Sequence, residues 1–133
     1  MSIERVNPPA LARPSGFSHA VVATGGRLVF LAGQTALGPD GLITGQTVTE
    51  QFEQALANLL LALDAAGGTP ADLASLTIYS VDLVEYRARA REIGAVWRRL
   101  AGTEYPAMAA VGITRLWDPA ALIELQGYAV IAS

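Results

Sequence analysis

Residues 121–131, Ala-Leu-Ile-Glu-Leu-Gln-Gly-Tyr-Ala-Val-Ile, decide how the rest of the chain is read. Side chains alternate between the two faces of a strand. One face of this stretch carries Ala121, Ile123, Leu125, Gly127, Ala129 and Ile131 and is wholly apolar, so it should pack under a layer of helices. The other carries Leu122, Glu124, Gln126, Tyr128 and Val130, a mixed face that suits neither a core nor open water. Ala107 to Arg115 alternates in the same way. There Ala109, Val111 and Ile113 oppose a small, uncharged face of Met108, Ala110, Gly112 and Thr114. The expectation is a sheet covered by helices on one side, with Met108, Ala110 and Gly112 on the second side, which meets other subunits.

The covering helices are legible upstream. Phe52, Ala55, Leu56, Leu59, Leu60 and Leu63 fall at helical spacing and form one apolar stripe. Thr47 or Thr49 can cap its start, and Gly67-Gly68 with Pro70 ends it. A second helix is expected over Val84 to Leu100. Tyr86, Ala90, Ile93, Trp97 and Leu100 repeat there, acids lie at its start, Arg98-Arg99 at its end, and Glu85 and Arg89 form an i, i+4 pair. Between the helices, Leu73 to Leu83 is β-branched and aromatic and reads as a strand. Toward the N-terminus, Pro8-Pro9 and Pro14 mark an irregular entry. Val21–Ala23, Gly25-Gly26 and Arg27–Ala32 read as strand, tight turn, strand. Leu42 to Val48 reads equally as a short strand or a loop. The sum is a single α+β domain over residues 1–133, a two-layer β-sheet backed by two helices.

Composition removes many functions. The 133 residues include no cysteine, one histidine and no lysine, all nine basic residues being arginine. Disulfides, thiolate chemistry, Cys-ligated metals, His-cluster metal sites, Schiff bases and P-loop phosphate binding are excluded. The net charge of −3 and the lack of a basic cluster beyond Arg98-Arg99 argue against nucleic acid. No apolar stretch approaches the roughly 20 residues of a membrane span, and Met1–Pro9 has no apolar core of a signal peptide, so a cytoplasmic protein is expected. Only 16% of residues are charged against 52% hydrophobic, where about 25% charged is usual, so a second copy is expected to cover part of the surface.

Few side chains remain as candidates. Glu124 interrupts an otherwise apolar strand. It is either a solvated carboxylate or a group in a semi-enclosed pocket able to hold or activate a water. Gly33, followed by Gln34 at the end of a strand, lets a ligand approach the backbone. His19 reads as a hydrogen-bonded strand or surface residue. Ser18, His19 and Asp40 lack the elbow that a nucleophilic serine needs. The Arg87, Arg89 and Arg91 run reads as a solvated helix face.

Together these stretches resemble one family. Gly16-Phe17-Ser18-His19-Ala20-Val21 resembles the G-[YF]-S-x-A-V segment of the RidA-like (YjgF) proteins, and Ala32-Gly33-Gln34 their [SA]-G-Q strand end. Gln54 to Leu59 is similar to their Q-x-x-x-N-[LI] helix. Ala65-Ala66-Gly67-Gly68 with Asp72-Leu73 is similar to their A-A-G…D-[LIV] joint. Tyr105-Pro106-Ala107 and Leu122-Ile123-Glu124-Leu125 resemble [FY]-P-A and [LV]-[IV]-E-[IL]. The resemblance implies the chorismate-mutase-like/RidA-like fold, a homotrimer with a central β-barrel, and small-molecule ligands bound in clefts between subunits. It also implies hydrolysis of imines and enamines with no metal or cofactor. It assigns water handling to Glu124, a backbone N–H to Gly33, and the cleft lining to Phe17, Gln34, Tyr105 and Met108. The family places an arginine directly after [FY]-P-A to grip the substrate carboxylate, and here Met108 stands in that position. A helix position that is often asparagine falls at Ala90. Two readings follow: a hydrolase with an altered substrate class, with Arg13, Arg115, Tyr105, Gln34 or Tyr128 as substitute contacts, or a non-catalytic trimeric ligand-binding or interaction protein.

Overall fold

A computed structural model describes residues 2–132. Six strands and three helices follow in the order β1 (Ser2–Val6), β2 (Ala20–Thr24), β3 (Arg27–Gln34), α1 (Val48–Ala65), β4 (Leu73–Ser80), α2 (Leu83–Ala88), α3 (Ala90–Ala101), β5 (Ala107–Gly112) and β6 (Ile123–Ile131). The main sheet has the order β3-β6-β4-β5, antiparallel except for the parallel β4–β5 pair. A separate ribbon pairs β1 with β2. It abuts the β5 edge, where Ser18 bridges Ala107 in parallel and its N–H donates to Pro106 O at 2.9 Å.

The alternation in β6 is observed. Ile123, Leu125, Ala129 and Ile131 are at most 2% exposed, and Glu124, Gln126 and Tyr128 point to the other face. Over the buried face lies α1, whose Phe52, Ala55, Leu56, Leu59 and Leu63 are buried while Leu60 is half-buried. Each fully buried leucine contributes roughly 1.5–3 kcal/mol. Of the two possible caps, Thr47 is used. Its hydroxyl accepts from the Glu50 N–H, and the Glu50 carboxylate accepts from the N–H groups of Gln46 and Thr47. Ile93, Val96 and Trp97 of α3 close the core from the side.

Three expectations are corrected. The N-terminus is not irregular throughout: Ser2–Val6 is a strand, missed because five residues beside a Pro-rich run carry little pattern. Gly25 and Gly26 both adopt positive φ, as a tight turn requires, yet β2 and β3 pair with β1 and β6 and not with each other. The expected second helix is two helices. Arg89, at φ −98° and ψ 14°, ends α2 and starts α3, with no Pro or Gly there to announce it. Of the two readings open for Leu42 to Val48, the loop is observed over residues 42–47, with one bridge, Leu37 to Ile43, and Val48 begins α1.

The faces of β5 are also the reverse of the expectation. The parallel register sets Met108 beside Leu76 and Ala110 beside Ile78, both on the helix-covered side, and sets Val111 beside Tyr79 on the open side. Alternation says which residues share a face. In a strand apolar on both faces, only the partner strand says which face is inside.

Candidate functional site

Gly33 and Glu124 meet on the open side of the sheet. The β3–β6 register slips between Leu31 and Gln34, and this irregularity presents the Gly33 backbone toward β6. A Cβ placed on Gly33 would stand 2.6 Å from Glu124 Oε2 and 2.8 Å from Cδ, so only glycine lets the carboxylate lie against this backbone. Glu124 is half-buried, and its strand neighbour Tyr79 donates its hydroxyl to Gln126 Oε1 at 3.3 Å.

Two amide side chains hold these segments. Gln51 on α1, only 2% exposed, accepts from the Leu122 N–H at 2.8 Å and donates to Ala120 O and Gly45 O, each at 3.2 Å. It thereby fixes the chain two residues before Glu124. Asn58 donates to Thr35 O at 3.0 Å and Leu37 O at 2.9 Å, and accepts from Gln54 at 2.9 Å. The loop leaving Gly33-Gln34 is therefore tied to the helix. Sequence reading had Gln54 and Asn58 only as a motif and passed over Gln51, although a glutamine beside Phe52 on a buried stripe is a signal of buried amide bonding.

The other candidates stand apart. Met108 and Tyr105 lie on the helix-covered side, packed against the core, and line a cavity of about 500 Å³ under α3 with Tyr86, Trp97, Arg91 and Arg98. Trp97 and Tyr105 stack there at 6.2 Å. Burial pushes the Tyr86 hydroxyl up to about 12, so it stays neutral at ordinary pH. Phe17 is half-buried and meets His19 edge-on at 5.1 Å. One His19 ring nitrogen is engaged by Ala12 O at 2.7 Å. Gln34 pairs with Leu125 at the end of β3. Within one chain, then, Glu124 and Gly33 are brought together, and Met108 and Tyr105 form a second group across the sheet from Glu124. Among the described residues no three His, Cys, Asp or Glu side chains are grouped to hold a metal ion, and no helix is long and apolar enough to cross a membrane.

The sequence and the fold both match known proteins. The sequence model of the family described as Endoribonuclease L-PSP matches residues 8–131. The chain belongs to the RidA-like (YjgF) family. A RutC family protein of Pyrococcus horikoshii is 31% identical over 119 residues, 88% of this chain and 89% of that one. The crystal structure of a Rid family protein of unknown function from Yersinia pestis superposes with a TM-score of 0.88 at 35% identity, covering 98% of this chain and all of that one. A YjgF/YER057c/UK114 family member from Mycobacterium tuberculosis gives 0.65 at 30% identity, over 98% and 100%. As a RidA-like protein the chain has the α+β fold of those structures. The family assignment is also consistent with the motif spacing, since Gln54 and Asn58 serve the loop that carries Gly33.

Proposed function

We propose that this RidA-like protein is a cytoplasmic, homotrimeric hydrolase of small imine- or enamine-type metabolites. Its clefts lie between subunits, and its substrate class differs from that of family members that carry the arginine. Glu124 is the catalytic group. It accepts a proton from a bound water as the oxygen attacks the imine carbon, then returns a proton to the nitrogen, and the carbinolamine collapses to a carbonyl compound and ammonia. The Gly33 backbone lies at the carboxylate beside Gln34, and Met108 and Tyr105, which stand across the sheet from Glu124 within one chain, line the substrate's approach together with Phe17 from the neighbouring subunit. No cofactor takes part.

The contact that carries this reading is the Glu124 carboxylate seated where a Cβ on residue 33 would be. The trimer is supported by the open sheet side, where Leu28, Phe30 and Tyr128 are 58%, 71% and 40% exposed and unmatched by any helix. The test is ammonia release, with semicarbazide trapping, from 2-iminopropanoate and from less polar imines generated by an amino-acid oxidase. Acceleration by the native protein that is lost in Glu124→Ala, with the trimer intact by light scattering, supports the reading. No acceleration on any imine overturns it.

The second reading, a trimeric binding protein without catalysis, is favoured by Met108. On the helix-covered side of β5 it lines the cavity under α3 with no charged replacement on its own strand. Ligand binding indifferent to Glu124→Ala supports that reading.

A further inference from the structure

The seat of the Glu124 carboxylate depends on how the chain enters β6. Arg27 to Leu31 pair in register with Ile131 to Gly127, and a continuation would set Gln34 beside Glu124. The slip sets Gln34 beside Leu125 instead. Glu124 therefore keeps Tyr79 of β4 as a partner and has no register partner in β3. Its carboxylate forms no hydrogen bond or ion pair among the described residues, and it lies against Gly33 only because the main chain brings it there.

The entry is a turn from Asp118 to Leu122. Asp118 holds it from within, its carboxylate accepting from the Ala120 N–H at 2.9 Å and its main-chain oxygen from the Ala121 N–H at 3.0 Å. Strand β4 adds one bond through the residue after it, Val81 N–H to Leu122 O at 3.1 Å. The Leu122 N–H and Ala120 O go to the Gln51 amide, which among the described residues is the one side chain from outside the turn bonded to it. Gln51 is itself fixed. Its main-chain N–H donates to Thr47 O at 2.9 Å in the first turn of α1, and its third amide bond reaches Gly45 O. Gly45 has a φ of 99°, and a Cβ there would stand 3.0 Å from Glu50 Cβ, so a glycine lets this carbonyl approach. A flipped amide would face its NH₂ to an N–H and its oxygen to two carbonyls, so only one orientation of this buried group is satisfied.

We propose that Gln51 is the positioning residue of Glu124. By holding Leu122 N–H and Ala120 O, it sets where β6 starts and so seats the carboxylate against Gly33. Its effect on rate rests on the reading of Glu124 as the catalytic group, whereas the seat itself is independent of any reaction. Gln51 acts through the main chain of residues 120–122 and not on the reacting atoms.

The experiment follows the Gly33 amide signal by NMR in the full-length protein, beside hydrolysis of 2-iminopropanoate. In the native protein, Glu124→Gln removes the charge beside Gly33 and shifts that signal. In the Gln51→Met background the same change should shift it by less than half as much. Gln51→Met should lower kcat about tenfold or more with KM within about twofold. Adding Gly33→Ala to Gln51→Met should cost less than about threefold further, because both changes unseat one carboxylate. Leu63→Ala, a core change about 18 Å farther along α1, should lower Tm and leave both kcat and the Gly33 response native-like. Gln51→Glu keeps an acceptor for the Leu122 N–H and loses both donors. It should give an intermediate Gly33 response and is the variant read where Gln51→Met fails to fold. A native-size response in either Gln51 variant, an equal loss in Leu63→Ala, or rate losses that multiply with Gly33→Ala each overturns the proposal. Absence of imine hydrolysis by the native protein defeats the hydrolase reading alone, and the Gly33 response then decides the role of Gln51.

Discussion

Replacing Gly33 by alanine separates the candidate catalytic contact from the fold. The new Cβ would meet Glu124 Oε2 at 2.6 Å, and an ordinary contact begins at 3.4 Å, so the carboxylate must retreat by about 0.8 Å. The atoms it meets are the end of a flexible, half-buried side chain, and Gly33 is not in the left-handed region, so the backbone carries no added strain. The cost in stability should stay below about 1 kcal/mol, a shift of under about 5 °C in Tm. A misplacement near 1 Å can cost on the order of 10²-fold in rate, so imine hydrolysis should fall about 10- to 100-fold. The assay is the semicarbazide-trapped ammonia release, run beside thermal unfolding. Native-like activity in Gly33→Ala would refute the role given to the contact. A large loss of Tm would show that Gly33 serves the fold and not the site.

Three further outcomes are expected. Asn58→Ala removes the donors to Thr35 O and Leu37 O and should destabilise by about 1–3 kcal/mol in denaturant unfolding, with faster amide exchange in residues 35–37. Gly127→Ala should be the more damaging glycine change, because its Cβ would run into Ser75 O and stand 2.9 Å from Leu76 Cδ1 inside the sheet; soluble yield and Tm report it. Hydrogen bonds from the Gln46 and Thr47 backbone hold the Glu50 carboxyl below its ordinary value of 4.5. Because the folded form then binds its proton less readily than the unfolded form, this contribution is complete above that ordinary value and is lost as pH falls through the lowered one. Glu50→Gln should therefore flatten the acid limb of a Tm-against-pH curve.

The helix stripe from Phe52 to Leu63, the buried face of β6 and the motif set that marks the family were all legible in the sequence, and the α1 cap was legible as one of two threonines. Each is a local periodicity or a short-range bond, and burial follows directly from it. Glu124 and Gly33 were legible as candidates, but their contact was not, because it depends on a register slip between strands 90 residues apart in the chain. The face on which Met108 lies escaped the sequence for a related reason. Both sides of β5 are small and apolar, so only its parallel register with β4 chooses the side. Arg87, Arg89 and Arg91 were legible as a solvated helix face and are exposed, because their spacing sets them away from the buried Ile93, Val96 and Trp97. The sequence by itself determined the layers and their inward faces, because alternation and helical spacing act within a few residues. The tertiary structure alone decided which side chains share a pocket, because strand register and helix packing join residues that no local pattern connects.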